Sequence, residues 1–422
     1  MSEGIHELVE RSAPEVVQRY LNLNFDDQNE ITTGKVTIKE GSRKSVFSNL
    51  HQATIPYSLG GVRGEVHAYI KDSREDISKT DWNDIGQNGI SKEKSEISDS
   101  SIFEAGVLEL STKSGSPTPK FLGKFGDAIF MEDLGDRLLQ DDLREDHERP
   151  DLQYNTISNV IEDLVKLHVS WKNTSIGFSN FNIQRRVFGY GEELIRSLEG
   201  YSGKKVTQKH QKGLTEGIET VKKYFTPFVS PEPGIIHGDL SPAHVSTEGE
   251  IKFFDLGRVR ADVVLFDLAD LLYYPLFNQE SGAILQLSDM YRDERLKKEH
   301  ETSPMSQINR RDHQLAFFIS GMLRCLRAAE KSHLNNDKFA KDPKLKRVYD
   351  AYLQEVPEYS SFPQAYAHKT GLILDQLIEQ GLPFKDTKDI ISKYVPLDVK
   401  DPFETPKKEK PSIYNQLAST LI

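Results

Sequence analysis

Apolar and polar residues alternate along the chain between about residues 31 and 71. The segments ITTGKVTI, VFSNLHQATI and EVHAYIK have the composition of strands, and glycine-bearing turns at Gly41 and at Gly60-Gly61 separate them. This pattern predicts consecutive antiparallel strands. Residues 72–99 lose the alternation and are polar and charged with scattered glycine, which is typical of a surface insertion or a long loop.

Helical periodicity replaces the strand pattern further along. A helix is predicted to begin near Ser100, and two short strands follow in PKFLGKF and DAIFMED. Beyond Gly135 the apolar residues recur at helical spacing, as in TISNVIEDLVKLHVSW, HQLAFFISGMLRCL and GLILDQLI. The sequence therefore predicts an α+β, two-lobed protein. An N-terminal lobe with a small antiparallel sheet spans residues 1–135 and carries the variable insertion 72–99, and a larger, mostly helical lobe spans residues 136–422.

Composition narrows the class of protein. A chain of 422 residues is long enough for two lobes, and its net charge of −11 argues against a nucleic-acid partner. The single cysteine, Cys325, can form neither an intrachain disulfide nor a thiolate zinc site. The first twenty residues are acidic from position 3 and contain no apolar stretch, and no run approaches membrane-spanning length. We therefore expect a soluble, cytoplasmic protein without a membrane partner.

The segment HGDLSPAH, residues 237–244, concentrates chemically capable side chains. It follows the strand-like run Gly234-Ile235-Ile236 and carries His237, Asp239 and His244 within eight residues. By itself this spacing allows a metal site, an acid/base pair or an ordinary surface loop.

A second motif favours phosphoryl transfer. Kinase catalytic loops follow the pattern HRDxxxxN, in which the aspartate accepts the proton of the substrate hydroxyl and the residue five positions later holds a metal ion. Here those positions are Asp239 and His244. Kinases place a metal-binding aspartate after the next hairpin, and Asp255-Leu256-Gly257 follows the apolar strand IKFF.

The predicted N-terminal lobe supplies the remaining parts in the order that a kinase requires. Lys71 ends the strand AYIK, where it can contact nucleotide phosphates, and its carboxylate partner is predicted on the following helix. Glu104 is the natural candidate, with Glu109 on the same helix as an alternative. After the last strand of the sheet, the backbone of Glu132 and Leu134 can hydrogen-bond to an adenine.

Taken together, HGD, GDAIFMEDLG, PKFLG, LVKLH and FDLADLL resemble the aminoglycoside phosphotransferase and choline kinase family over roughly residues 30–275. The resemblance implies a protein-kinase-like bilobal fold and a phosphotransferase with an alcohol group as acceptor. It gives Asp239 the role of general base and Asp255 that of metal ligand. His237 would brace the catalytic loop, and Asp267 would tie that loop down.

Two features depart from the family pattern. Gly41-Ser42-Arg43-Lys44-Ser45 sits where a phosphate-covering hairpin belongs but lacks the full glycine-rich pattern, so Ser42 and Ser45 are weaker candidates for nucleotide contact. Most relatives have asparagine where this chain has His244, although macrolide phosphotransferases also have histidine there. Since Mg²⁺ prefers oxygen ligands, an imidazole should weaken Mg²⁺ or favour Mn²⁺. His168 in LVKLH is better explained as a packing residue.

These features predict a small-molecule kinase that transfers the γ-phosphate of ATP or GTP to a hydroxyl of a sugar, an amino alcohol or an antibiotic-like substrate, with Mg²⁺ or Mn²⁺ as cofactor. A protein kinase is the less favoured alternative. No APE motif follows Asp255, and Asp267 of FDLAD lies only twelve residues later, which leaves no room for an activation segment. A nucleotide-binding pseudokinase is a further alternative, motivated by His244 and the imperfect phosphate loop.

Overall fold

The computed structural model describes residues 4–22, 31–40, 49–72, 96–173, 189–230, 233–299, 304–341, 346, 349–350, 353–354 and 356–403. Ser42, Ser45 and most of the predicted insertion at 72–99 lie outside these residues.

The N-terminal part is an antiparallel sheet with one helix before its first strand and a second helix inserted between its fourth and fifth strands. Its elements are α1 (Ile5–Leu21), β1 (Ile31–Thr33), β2 (Thr37–Glu40), β3 (Asn49–Leu59), β4 (Val62–Asp72), α2 (Glu96–Lys113), β5 (Phe121–Phe125) and β6 (Ala128–Glu132). The strands pair in the order β1-β3-β4-β6-β5, and β2 also pairs with β3. The predicted strands are therefore confirmed, and α2 begins four residues before the predicted start at Ser100.

One predicted strand is divided in the structure. ITTGKVTI forms β1 and β2, which pair with different parts of β3. The break lies opposite Pro56, which has no N–H to donate to a neighbouring strand. Its carbonyl oxygen instead accepts the N–H of Gly34 at 2.8 Å, and this contact marks where the chain leaves one register and enters the next.

The C-terminal part is mostly helical, as the periodicity predicts. It begins with α3 (Leu139–Glu145), α4 (Pro150–Asn173), α5 (Tyr190–Ser202), α6 (Gln208–Gly213) and α7 (Thr215–Val229). Short strands follow, namely β7 (Gly234–Ile236), β8 (Val245–Ser246), β9 (Lys252–Phe253) and β10 (Arg260–Asp262). The chain continues with α8 (Leu265–Leu272), α9 (Ser281–Lys298), α10 (Arg310–Lys341), α11 (Phe362–Glu379) and α12 (Lys385–Ile391).

Two apolar cores hold these parts. In the smaller core, Val9, Val16 and other residues on one face of α1 pack against the sheet; in the larger one, α2 packs with the C-terminal helices. Strand β6 belongs to both, since Phe130 faces the smaller core while Ile129 and Met131 face the larger one. Because alternate residues of a strand point to opposite faces, β6 joins the sheet to the helical part.

The antiparallel sheet and the helical remainder confirm the predicted α+β, two-lobed fold, whereas the boundary between residues 135 and 136 stays a prediction. Across the described ranges, none of the helices combines the length and apolar character needed to cross a bilayer.

Candidate active site

The loop His237–His244 connects β7 to β8, and Asp267 fixes its first residues. Asp267 lies in the first turn of α8 and is fully buried. Its Oδ2 accepts the backbone N–H of His237 at 2.6 Å, and its Oδ1 accepts that of Gly238 at 2.9 Å. Gly238 has φ +83°, and a Cβ there would lie 2.3 Å from the carbonyl oxygen of Arg258, so the position requires glycine.

His168 on α4 holds the carboxylate of Asp267 through a hydrogen bond. Its Nε2–H donates to Asp267 Oδ2 at 2.9 Å, and its Nδ1 accepts the hydroxyl of Tyr291 at 2.7 Å. Burial acts to raise the pKa of Asp267, but hydrogen bonds from His168 and the loop backbone lower it below its ordinary value. The sequence pattern anticipated a satisfied packing histidine, and the structure supplies its partner.

His237 links the catalytic loop to the segment that carries Asp255. Its Nε2–H donates to the carbonyl oxygen of Phe254 at 2.8 Å. The side chain is fully buried, and burial lowers the pKa of His237 below its ordinary value. The contact therefore holds a neutral ring between the two motifs and fixes their spacing.

Asp239 is an ionised carboxylate between two cations. Its Oδ2 lies 3.4 Å from Arg258 Nε and 3.4 Å from Lys331 Nζ. Partial burial acts to raise the pKa of Asp239, but the positive charges of Lys331 and Arg258 outweigh it and hold the pKa well below its usual range. Sequence reasoning missed both cations, and Lys331 on α10 is 92 residues further along the chain.

Lys71 connects the sheet to the Asp255 turn. Its Nζ lies 2.8 Å from Glu104 Oε2 and 2.9 Å from Asp255 Oδ1, so three segments that are distant in sequence meet at one ammonium group. Burial acts to lower the pKa of Lys71, but the two carboxylates raise it above its ordinary value. The alternative partner, Glu109, instead pairs with Lys113 at 2.8 Å on the surface of α2.

Asp255 has a backbone conformation that is uncommon outside glycine. Its φ and ψ are 62° and 57°, in the left-handed region, which costs about 1 kcal/mol or more for such a residue. The positive charge of Lys71 lowers the pKa of Asp255 below its usual range. The turn thus holds an ionised carboxylate toward Lys71.

His244 presents one ring nitrogen to Asp255. Its Nδ1–H donates to the backbone oxygen of Asp239 at 2.7 Å, and this leaves Nε2 3.5 Å from Asp255 Oδ2. An imidazole whose Nδ1–H is held by a carbonyl offers the lone pair of Nε2 for metal coordination. Among the residues with described positions, no group of three or more His, Cys, Asp or Glu side chains is arranged to bind a metal ion.

Glu132 is the last residue of β6, and Leu134 lies on the connector that leads from β6 to α3. Glu132 Oε2 accepts the backbone N–H of Lys120 at 3.1 Å, and the carbonyl oxygen of Leu134 accepts the hydroxyl of Ser246 at 2.9 Å. Within the described segments, no hydrogen bond or ion pair joins either residue to Lys71 or Asp239. Their hydrogen bonds instead join this segment to Lys120 and to Ser246 of β8.

Comparison with known proteins gives a family match across the centre of the chain. Residues 97–298 match the model of the family APH, described as Phosphotransferase enzyme family. This segment contains Glu104, Asp239, His244, Asp255 and Asp267. No curated protein matches the sequence.

Solved structures with low sequence identity resemble the chain. A choline kinase from Cryptosporidium parvum is 11% identical, with 87% of this chain and 96% of that chain covered and a TM-score of 0.47. A Plasmodium vivax ethanolamine kinase is 12% identical, with 92% of each chain covered and a TM-score of 0.44. The GDP complex of aminoglycoside 2'-phosphotransferase-IIIa is 12% identical, with 82% and 97% covered and a TM-score of 0.43.

Proposed function

Because residues 97–298 match the model of the phosphotransferase enzyme family, as their motifs predict, we propose that this protein is a small-molecule kinase that transfers the γ-phosphate of ATP or GTP to a hydroxyl group. The family match confirms the predicted enzyme class, a phosphotransferase with an alcohol group as acceptor. The donor, the metal and the roles of individual residues belong to the proposal.

One observation carries the proposal. Lys71 and its two carboxylate partners meet at the same site as Asp239 and the His244–Asp255 pair. Lys71 Nζ lies within 3.1 Å of three carboxylate oxygens on α2 and the Asp255 turn. In phosphoryl transfer the protein mainly positions the reactants and neutralises charge. We assign Lys71 to the nucleotide phosphates, with Glu104 holding its side chain in place.

The donor atoms of His244 and Asp255 fit a divalent cation. His244 Nε2 and Asp255 Oδ2 lie 3.5 Å apart, and the hydrogen bond from Nδ1 to the Asp239 carbonyl fixes the ring orientation. Two protein ligands suit an ion that keeps several waters, as Mg²⁺ does, while the imidazole favours Mn²⁺. A divalent ion bound here would neutralise charge on the transferred phosphoryl group.

Asp239 is the proposed base. The acceptor oxygen forms a bond to the γ-phosphorus while the bond from that phosphorus to the bridging oxygen of the β-phosphate breaks, and the hydroxyl proton passes to the Asp239 carboxylate. Because the cations around Asp239 lower its pKa, the carboxylate is a weak base. It therefore orients the hydroxyl and accepts the proton late in transfer, which suits a loose transition state.

Nucleotide contacts complete the proposed site. The connector backbone at Glu132 and Leu134 would bind the base, and Ser42 and Ser45 would contact the phosphates. A small-molecule acceptor and a nucleoside triphosphate are the proposed ligands, and the net charge of −11 argues against a nucleic-acid partner.

The test is a screen of hydroxylated metabolites for release of ADP or GDP, with Mg²⁺ and with Mn²⁺. Asp239→Ala should lower kcat by about a thousandfold or more, while nucleotide affinity changes by no more than a few-fold. Asp386→Asn is the control, since Asp386 is exposed and lies in the first turn of α12. Turnover retained by Asp239→Ala would contradict the assignment.

A nucleotide-binding regulatory module is the second candidate. The observation that favours it is the pair of cations at Asp239, which weakens this carboxylate as a base. Nucleotide binding without transfer or hydrolysis, under both metal ions and over the whole panel, would favour the module. Slow hydrolysis that is lost in Asp255→Ala would favour the enzyme.

A further inference from the structure

Two half-exposed cations lie further from the proposed base than Lys71 lies from its two carboxylates. Lys331 Nζ and Arg258 Nε each lie 3.4 Å from Asp239 Oδ2, and their side chains are 50% and 53% exposed. By contrast, Lys71 Nζ lies 2.8 Å from Glu104 Oε2. Charge-assisted hydrogen bonds are normally about 2.7–2.9 Å long, so these two contacts are loose. Either cation can turn toward a ligand without breaking a short ion pair.

The charges near Asp239 do not balance. Neighbouring arginines each have a carboxylate of their own, in the pairs Arg324–Asp270, Arg327–Glu193 and Arg260–Asp262. Within the described part of the chain, Asp239 is the one carboxylate within 4.0 Å of Lys331 or Arg258. One negative charge therefore faces two positive charges that are open to solvent, which leaves a surplus of positive charge at the base.

Because Lys331 belongs to the helical lobe, the surplus positive charge at Asp239 comes partly from that lobe. Lys71, the proposed phosphate-binding cation, belongs to β4 of the sheet, whereas Lys331 belongs to α10. Asn335, one turn further along α10, donates its Nδ2–H to the hydroxyl of Tyr359 at 3.0 Å. Residues four apart share a helix face, so Lys331 and the Asn335–Tyr359 pair lie along the same side of α10. This face offers a cation and neutral polar groups.

We infer that the acceptor carries an anionic group, a phosphate or a carboxylate, close to the hydroxyl that is phosphorylated, and that Lys331 binds this group with help from Arg258. The inference rests on the proposed function and names the substrate class of the same site. A phosphorylated sugar or a sugar acid would neutralise the surplus charge. A cationic amine would meet two like charges beside the base and would bind poorly.

The test uses acceptors that share one hexose framework. Glucose is neutral, glucosamine is cationic, and gluconate and glucose 6-phosphate are anionic. Transfer is followed with the full-length chain as ADP release, and binding of each compound is measured by calorimetry in the presence of a non-hydrolysable ATP analogue with Mg²⁺ or Mn²⁺. We expect at least one anionic compound to exceed glucose by about tenfold or more in affinity and in kcat/KM, with glucosamine the weakest.

Variants of Lys331 separate charge recognition from a structural role. Lys331→Gln should raise KM for the preferred anionic acceptor about ten- to hundredfold, since one charge-assisted hydrogen bond is lost, while kcat changes by only a few-fold. Lys331→Arg should recover most of the affinity. Lys338→Gln is the matched control, because it removes the same charge from an exposed position seven residues along α10. Thermal midpoints of the three variants verify folding.

The outcomes distinguish this inference from the proposed function. Three outcomes would overturn the anion site. They are a preference for glucose or glucosamine, an anionic acceptor whose KM is unchanged in Lys331→Gln, and an absence of Lys331-dependent binding of any anion. Transfer to a neutral or cationic acceptor would then leave the kinase assignment intact. Lys331-dependent binding of an anion without transfer would instead support the anion site and count against the kinase.

Discussion

Replacing Asp267 by asparagine tests how the catalytic loop is held. Asp267 Oδ2 accepts the His237 N–H at 2.6 Å and the His168 Nε2–H at 2.9 Å, and its Oδ1 accepts the Gly238 N–H at 2.9 Å. The carboxylate has no exposed surface. Asparagine keeps one acceptor oxygen but turns an NH₂ group toward at least one of these donors. The substitution therefore removes an acceptor and adds a repulsive contact in a place that water does not reach.

The expected loss of stability follows from these contacts. A hydrogen bond to a charged group contributes about 1.5–3 kcal/mol, and an unsatisfied buried N–H costs about 1–3 kcal/mol. Because the two terms overlap, we expect Asp267→Asn to lower the free energy of unfolding by about 2–4 kcal/mol. Burial acts to raise the pKa of Asp267, but His168 and the loop N–H groups lower it below its unfolded value. Its charge thus stabilises the fold above a pH of about 4, and this stabilisation is lost as pH falls through the lower folded pKa.

Urea denaturation followed by circular dichroism at pH 7 and at pH 3.5 measures both effects. Asp386→Asn is the control, because Asp386 also lies in the first turn of a helix but is exposed, and it should change stability by no more than about 1 kcal/mol. The difference between wild type and Asp267→Asn should shrink at the lower pH. If Asp267→Asn shifts the urea midpoint no more than Asp386→Asn does, the three contacts do not hold the loop.

Three further predictions concern other residues. Gly238→Ala should destabilise the fold by at least about 2 kcal/mol in thermal unfolding and abolish turnover, because its Cβ would lie 2.3 Å from the Arg258 carbonyl oxygen. The control is Gly249→Ala, which should cost only about 1 kcal/mol, because Gly249 has φ +78° but open space around it. His313 is fully buried, burial lowers its pKa to about 3, and neither ring nitrogen has a hydrogen-bond partner among the described residues. The stability that its neutral form contributes is present above the unfolded pKa of about 6.5 and is lost as pH falls toward 3. In urea unfolding, the stability of His313→Leu relative to wild type should therefore rise by about 2 kcal/mol between pH 7 and pH 5. A constant difference between the two proteins would contradict this. His244→Asn should raise the ratio of turnover with Mg²⁺ to turnover with Mn²⁺ several-fold in the ADP-release assay, and an unchanged ratio would exclude His244 as a metal ligand.

Local sequence patterns predicted the elements that depend on local spacing. Alternating residues identified the strands, helical periodicity identified the C-terminal helices, and the spacing of Asp239 and Asp255 identified two turns that the structure brings to one site. The choice between Glu104 and Glu109 needed the structure. Both lie on α2, and only tertiary packing determines which carboxylate faces Lys71.

Local sequence patterns could not predict contacts between distant segments. Lys71 and Asp255 are separated by 184 residues, and Asp239 and Lys331 by 92. A lysine on a helix has the same local signature whether it faces solvent or a carboxylate, so Lys331 could not be singled out. The motif LVKLH did indicate a packing role for His168, but its partner on α8 became evident only when α4 and α8 were placed together.

Position and charge at Asp239 are controlled by different helices. His168 on α4 and Asp267 on α8 fix the backbone of the catalytic loop through buried hydrogen bonds. Lys331 on α10 acts on the carboxylate itself, through a loose contact at the surface. If Lys331 binds the acceptor as proposed, a substitution on the exposed face of α10 should change the acceptor that is recognised while the loop keeps its geometry, because none of the hydrogen bonds to Asp267 passes through that helix. If the proposed function is right, variation at Lys331 should alter substrate preference at nearly constant stability, whereas variation at Asp267 should reduce stability and turnover together.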